Sequence, residues 1–183
     1  MSTPISLDAK VAAFLESQPL FFVATAPASS SGHVNCSPKG GSSCLRVFDN
    51  GKRIAFVDYT GSGTETIAHL RENGRITLMF ASFGGTPEIV RVYGTGFVHE
   101  LGTGGFSELA PHFPHLYGAR SIIEVAVAEV RRSCGFGVPV TAGFSPRSRM
   151  PDWLRAKGEE SLRSYREKHN RESLDGLPGF GAG

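Results

Sequence analysis

A chain of 183 residues is long enough for one domain with a substantial core, or one domain and an appendage, without disulfide or metal staples. Its 40% apolar and 20% charged content is that of an ordinary globular protein. Lys and Arg number 19 against 17 Asp and Glu, and the net charge of +2 gives no electrostatic footprint for nucleic acid or an anionic membrane surface.

The opening Met1-Ser2-Thr3-Pro4 carries neither the basic nor the apolar region of a secretory signal, and runs such as Leu20-Phe21-Phe22-Val23-Ala24 are far too short to span a bilayer. Residues 6–17 have helical periodicity, with Leu7, Val11, Phe14 and Leu15 on one face, Ser6 as the expected N-cap and Pro19 as the stop. The period then changes to short strands, expected over residues 21–26, 33–37, 45–48, 53–58, 75–80, 88–101 and 122–132. Turn signals separate them at Ser29-Ser30-Ser31-Gly32, Pro38-Lys39-Gly40-Gly41, Asp49-Asn50-Gly51 and Gly84-Gly85-Thr86-Pro87. Asn50-Gly51 between two apolar runs is a hairpin signal. Gly94 and Gly96 interrupt a long strand and predict a bulge or sharp bend, as when one strand serves two parts of a barrel.

Between the strands, residues 66–73 and 103–114 read as short helical segments, and residues 152–170 as a longer helix. On that last helix Leu154, Leu162, Tyr165 and His169 fall near one face, and Arg155, Glu159, Arg163 and Glu167 form an i,i+4 series of alternating sign. The apolar, turn-rich tail at residues 174–180 is expected to dock, on this chain or on a second subunit. Short strands with few inserted helices predict an antiparallel barrel rather than βαβ units. Cys36, Cys44 and Cys134 form no CxxC pair and read as reduced thiols, the basis for expecting a cytoplasmic protein.

Three clusters can carry chemistry. In the first, the run Ile54-Ala55-Phe56-Val57 ends in Asp58-Tyr59-Thr60-Gly61-Ser62-Gly63-Thr64-Glu65-Thr66, which opens a helix. Free N–H groups and the positive end of a helix dipole suit such a corner to a phosphate, with Thr64 as cap and Ser62, Thr60 and Tyr59 as hydroxyl donors. It is no Walker loop, since no GKS or GKT follows. The second is Asn35-Cys36-Ser37-Pro38-Lys39-Gly40-Gly41 with Arg46 on the next strand, where Lys39 and Arg46 can supply positive charge. The third, Ser133-Cys134-Gly135-Phe136-Gly137-Val138-Pro139, lets backbone approach a planar ligand. Taken singly, each also reads as an ordinary turn. No HxxxH, HExxH or GxSxG is present, and His112 and His115 are separated by Pro114, so neither a metal site nor a catalytic triad is expected.

Together, in this order, Asn35-Cys36-Ser37-Pro38-Lys39-Gly40, Leu45-Arg46-Val47, Asp58-Tyr59-Thr60-Gly61-Ser62-Gly63, His69-Leu70-Arg71-Glu72-Asn73-Gly74-Arg75 and Tyr93-Gly94-Thr95-Gly96 resemble the pyridoxamine 5′-phosphate oxidase-like, FMN-binding split-barrel proteins. The resemblance covers roughly residues 7–135, and Ser133 to Pro139 with Gly176-Leu177-Pro178-Gly179 looks like a bacterial-type subgroup without a well-defined substrate. It implies a mainly β fold with α elements, a six-stranded antiparallel split β-barrel with flanking helices, that forms a homodimer with FMN at the subunit interface. Residues 1–139 would be the FMN-binding domain and residues 140–183 a helical C-terminal extension on the barrel or the dimer partner.

By the same resemblance the cofactor would meet Ser37, Lys39, Arg46, Val47, Tyr59, Thr60, Ser62, Thr64 and Thr66. The oxidases proper place an Arg-Lys pair at the positions of Glu65 and Thr66. Here an acid stands at the phosphate corner, so Lys39, Arg46 or a basic residue of the partner must compensate. The C-terminal arginine and histidine motif that holds pyridoxamine phosphate is missing, and vitamin B6 oxidation is not expected. The implied function is an FMN-dependent oxidoreductase of unknown small-molecule substrate, with hydride passing through flavin N5. The alternatives are an F420-dependent reductase, or a non-catalytic flavin or haem binder with His33, His69 and His99 as available axial ligands.

Overall fold

The computed structural model describes residues 2–41 and 43–181. Its strands are β1 (Thr3–Pro4), β2 (Leu20–Thr25), β3 (Asn35–Gly40), β4 (Leu45–Phe48), β5 (Arg53–Tyr59), β6 (Arg75–Ala81), β7 (Glu88–Glu100) and β8 (Ala119–Cys134). They form one 8-stranded antiparallel sheet in the order β3-β2-β6-β7-β8-β5-β4, with β1 added on β8. The sheet is curled into a half-barrel, so the class is that expected from sequence. The strand count rises above six because the two-residue β1 and the short edge strands also pair.

The long strands follow from where their side chains go. Ile54 and Phe56 of β5 turn into one cluster with Val23, Leu78, Ile123 and Val125, while Ala55 and Val57 turn to the other face beneath Phe106, Leu109 and Phe113. Burial on both faces explains why this strand reads as a continuous apolar run rather than an alternating one. A fully buried side chain such as Phe56 contributes roughly 2–3 kcal/mol. The predicted bulge lies between Tyr93 and Gly94, where partners jump from Glu129 to Val127. A Cβ on Gly94 would stand 2.2 Å from the Ala126 carbonyl oxygen, so the close approach of the two strands needs glycine there.

The helices are α1 (Ala9–Ser17), α2 (Glu65–Asn73), α3 (Gly104–Leu109) and α4 (Arg149–His169). Helix α1 begins later than its periodicity suggests, because Asp8 rather than Ser6 caps it by accepting the Val11 N–H at 2.9 Å. Gly74, at φ 70°, ends α2. The β4–β5 hairpin turns through Asp49, Asn50 and Gly51 at φ 52°, 54° and 87°, as Asn-Gly permits. Residues 38–40, expected as a turn, continue β3 instead; Pro38 is tolerated because β3 is an edge strand.

Helix α4 is broken at Gly158, whose φ of 70° and ψ of 164° are not helical. The break falls inside the expected charge series, and Arg155 pairs with Asp152 at 3.4 Å. Leu154, Leu162 and Arg166 are the buried residues of this helix, whereas Tyr165 is half-buried and His169 exposed. Beyond it the tail turns back and docks on its own chain. A bridge pairs Glu172 with Pro178, Phe180 packs against the core, and Arg71 donates to the Gly179 carbonyl.

Candidate functional site

Strands β3 and β4 end the strand order of the sheet, and an ion cluster joins β3 to β5, the neighbour of β4, which closes a seam between the two edges. Asp58 lies on the inward face of β5 and is fully buried. Lys39 Nζ reaches it from β3 at 2.7 Å, and Arg120 Nε donates to its other oxygen at 2.7 Å. Arg120 occupies the extra position of a bulge, since Asp58 faces Ser121 and Tyr59 faces Ala119. Burial alone would push the Asp58 carboxyl up, but the two cations outweigh it and hold its pKa at about 2. Lys39 therefore stands at the seam as a fixed, half-buried cation already bound to an anion.

Alternation on β3 puts Ser37 and Asn35 on the same side as Lys39. Ser37 Oγ donates to Asn35 Oδ1 at 2.7 Å, and Asn35 Nδ2 donates to both Thr25 Oγ1 and Thr66 Oγ1. Thr25 Oγ1 shares a 3.0 Å hydrogen bond with His69 Nδ1. His69 is fully buried, its Nε2 lacks a partner, and burial holds its pKa below the usual value, so the ring is neutral at pH 7. A polar chain thus runs from the accessible Ser37 to the buried start of α2. Arg46 and Val47, adjacent on β4, project to opposite faces: Val47 opposes Ile54 inward and Arg46 opposes Ala55 outward. Arg46 Nη1 donates to the Leu45 carbonyl at 2.8 Å. Close by, the Cys44 thiol is buried, and burial raises its pKa.

The strand–glycine–helix corner forms where expected, but the chain's own tail covers it. Tyr59 is half-buried and donates to the His115 carbonyl at 2.7 Å, while Thr60 is fully buried and donates to the Gly118 carbonyl at 2.9 Å. Asn170 Nδ2 donates to the Gly61 carbonyl at 2.8 Å. Gly179 lies against Thr64, and a Cβ there would approach Thr64 Cγ2 to 2.6 Å. Thr64 and Thr66 are consequently 1% and 4% exposed, and Ser62 is the exposed hydroxyl of the corner. Thr64 makes no capping bond, and its Oγ1 is buried without a partner. Glu65 folds back over Gly63 and accepts the Leu174 N–H at 3.4 Å.

Of the nine residues expected at a cofactor, Ser37 and Lys39 thus lie along β3, Val47 is half-buried on the inward face of β4, Arg46 and Tyr59 are half-buried on the outward face, and Ser62 is open. Thr60, Thr64 and Thr66 stand behind that surface, bonded to or covered by the protein itself. Sequence reasoning passed over Asp58 as a charge, Arg120 and Asn170. Asp58 carried a signal, an acid at the end of an apolar run; the other two depend on elements brought together from far along the chain. The three histidines weighed as axial ligands have other partners: His33 pairs with Asp175, His69 with Thr25, and His99 Nε2 with Glu124 at 2.8 Å. Among the described residues no cluster of His, Cys, Asp or Glu could hold a metal ion, and no helix is long and apolar enough to cross a membrane.

The chain matches the family model described as pyridoxamine 5′-phosphate oxidase over residues 7–134. It is 40% identical over 180 residues to the pyridoxamine 5′-phosphate oxidase family protein ustO of the fungus Aspergillus flavus, covering 89% of this chain and 71% of that relative. Two solved structures share the fold. HupZ of Group A Streptococcus is 19% identical, covering 73% of this chain and 97% of its own, with a TM-score of 0.51. A Clostridium acetobutylicum protein related to general stress protein 26 of the pyridoxinephosphate oxidase family is 13% identical, covering 68% and 86%, with a TM-score of 0.50. By the span of the family match and the identity to its fungal relative, the chain belongs to the pyridoxamine 5′-phosphate oxidase family.

Proposed function

We propose that the protein is a flavoprotein that holds FMN along the seam between β3 and β4 and passes hydride between the flavin and a small-molecule substrate, as a homodimer. The observation that carries this reading is the family match over residues 7–134, which spans all nine candidate residues. The seam supports it. Ser37 and Lys39 offer polar groups along the half-buried edge of β3, and the Asp58–Arg120 pair behind Lys39 fixes where its ammonium points.

The two ends of the site fit a flavin unequally. At the seam the Ser37–Asn35–Thr66 chain keeps its hydroxyls in place. The corner, covered by the tail, leaves Ser62 as its exposed hydroxyl and places Glu65 rather than a cation over Gly63. A phosphate there would draw its counter-charge from Lys39, Arg46 or the partner subunit. In this reading Thr60, Thr64 and Thr66 position the corner, and Ser62 touches the ligand. The flavin, once bound, supplies the redox chemistry, so the protein needs to bind, orient and shield it rather than to provide an acid or base.

The test is direct. The purified protein is expected to show flavin absorption, or to quench the fluorescence of added FMN saturably, and reduction by NAD(P)H would bleach the spectrum. Protein that neither carries flavin nor quenches added FMN or FAD would overturn the reading. Tighter quenching of FAD than of FMN would reassign the cofactor within it.

A further inference from the structure

A cleft of about 910 Å³ opens between α4, the start of β8 and the tail, and none of the nine candidate flavin residues lines it. Its volume falls in the range of small-molecule sites. Leu101, Leu116, Tyr117 and Phe180 provide apolar surface, and Arg166 stands among them only 8% exposed.

Arg166 is a buried cation that forms no ion pair among the described residues. Its Nε donates to the Leu162 carbonyl at 3.1 Å and its Nη1 to the Ala119 carbonyl at 3.4 Å, and its guanidinium carbon lies 5.7 Å from the centre of the Phe180 ring. Two of its five N–H donors therefore have named acceptors. Among the described residues no carboxylate comes within the 4.0 Å of an ion pair. Next along the chain from the Ala119 carbonyl is Arg120, 3% exposed, whose Nη1 is buried with no partner.

The buried acid beside Arg120 is Asp58, which Lys39 already shares. Burial first, and Arg120 second, hold the Arg166 pKa below its usual value. Glu159 acts in the opposite direction but more weakly; it, Glu160 and Glu167 are exposed side chains of α4. The base of the cleft thus carries positive charge, while its exposed rim sets three carboxylates, Glu159, Glu160 and Glu167, against two cations, Arg163 and Arg171.

We infer that this cleft binds a small molecule with an aromatic or other apolar body and one anionic group, carboxylate or phosphate, the anion meeting Arg166 and the body lying against Tyr117 and Phe180. Carboxylate and phosphate oxygens match the guanidinium fork, and the burial of Arg166 strengthens the ion pair. The inference does not depend on whether a flavin occupies the seam.

Calorimetric titration of the full chain with phenyl phosphate, benzoate, inorganic phosphate and benzyl alcohol tests it. Phenyl phosphate or benzoate is expected to bind saturably, whichever is tighter naming the anion. Inorganic phosphate should bind more weakly, and benzyl alcohol should not bind. Arg166→Lys, which keeps the charge but loses the fork, is expected to weaken binding about tenfold. Arg163→Glu, exposed on the rim and free of packing demands, should weaken it severalfold with an unchanged melting temperature. Tyr117→Ala should reduce phenyl phosphate affinity and leave that of inorganic phosphate alone. Absence of anion binding, equal binding of benzyl alcohol, or wild-type affinity in both arginine variants would overturn the inference.

Discussion

Asp58 ends an apolar strand and has no exposure, so its carboxylate persists only because Lys39 and Arg120 lie on its two oxygens. Removing one member of a buried ion cluster leaves charge uncompensated. Lys39→Met is therefore expected to destabilise the protein by about 3 kcal/mol, or roughly 6–12 °C in melting temperature. A calorimetric melt within 2 °C of the wild type, roughly 0.5–1 kcal/mol, would refute the seam's role as a clamp. The same pair predicts acid lability. The folded pKa of Asp58, about 2, lies below its unfolded value of 3.8, so the stabilisation is complete above 3.8 and lost as pH falls through 2. Its size is roughly 2 kcal/mol. His69 acts at higher pH, because burial depresses its folded pKa. Below its ordinary value of 6.5 the unfolded chain takes the proton first, and stability falls with falling pH. His69→Asn is expected to flatten the urea-midpoint profile between pH 7 and 5, and a wild-type slope in that variant would exclude the ring as its source. At this scale the sequence displayed the cations but not their partner. Lys39 and Arg46 were visible as charges near a strand–helix corner. That Lys39 turns inward to Asp58 while Arg46 turns outward depends on register, which no local pattern encodes.

Among the elements, the tail decides what the corner exposes. Gly179 passes so close to the end of α4 that a Cβ would stand 2.4 Å from the Asn170 carbonyl oxygen and 2.6 Å from Thr64 Cγ2. Gly179→Val is accordingly expected to lift residues 170–181 from the corner, at a cost of roughly 1–3 kcal/mol. Trypsin should then cut after Arg171 sooner than in the wild type, whereas Gly137→Ala, with open space around it, should leave the digest unchanged. Equal cleavage rates in all three proteins would show that the tail tolerates the clash. Most elements were legible because their burial is periodic: α1, α2, the β4–β5 hairpin and the glycine-marked bulge of β7 lie close to where their patterns place them. The departures have local causes. Pro38 signals a turn but costs nothing on an edge strand, Asp8 outcompetes Ser6 as a cap, and Gly158 breaks a helix whose charge spacing reads as continuous.

For the molecule as a whole, the remaining question is what supplies positive charge to a flavin phosphate. Within one chain Lys39 is bound to Asp58, Arg71 is bound to Glu100 and the Gly179 carbonyl, and Glu65 overlies the corner. Arg46 is half-buried and engaged with a backbone carbonyl on the outward face of β4. If the seam holds FMN, the simplest remaining donor is a basic side chain of a second subunit, and flavin affinity must then depend on association. The surface is compatible with such an assembly, since Phe97 of β7 and Phe136 and Val140 beyond β8 are apolar side chains left exposed among the described residues. Sedimentation equilibrium of the full chain is expected to give twice the 19.6 kDa chain mass. FMN fluorescence quenching should weaken on dilution in step with dissociation, because each half of the site then loses the other's charge. A 19.6 kDa species that binds FMN with concentration-independent affinity would remove the partner from the site. It would leave Lys39 or Arg46 to meet the phosphate, and Lys39→Met would then have to abolish binding or Arg46 would be the remaining choice.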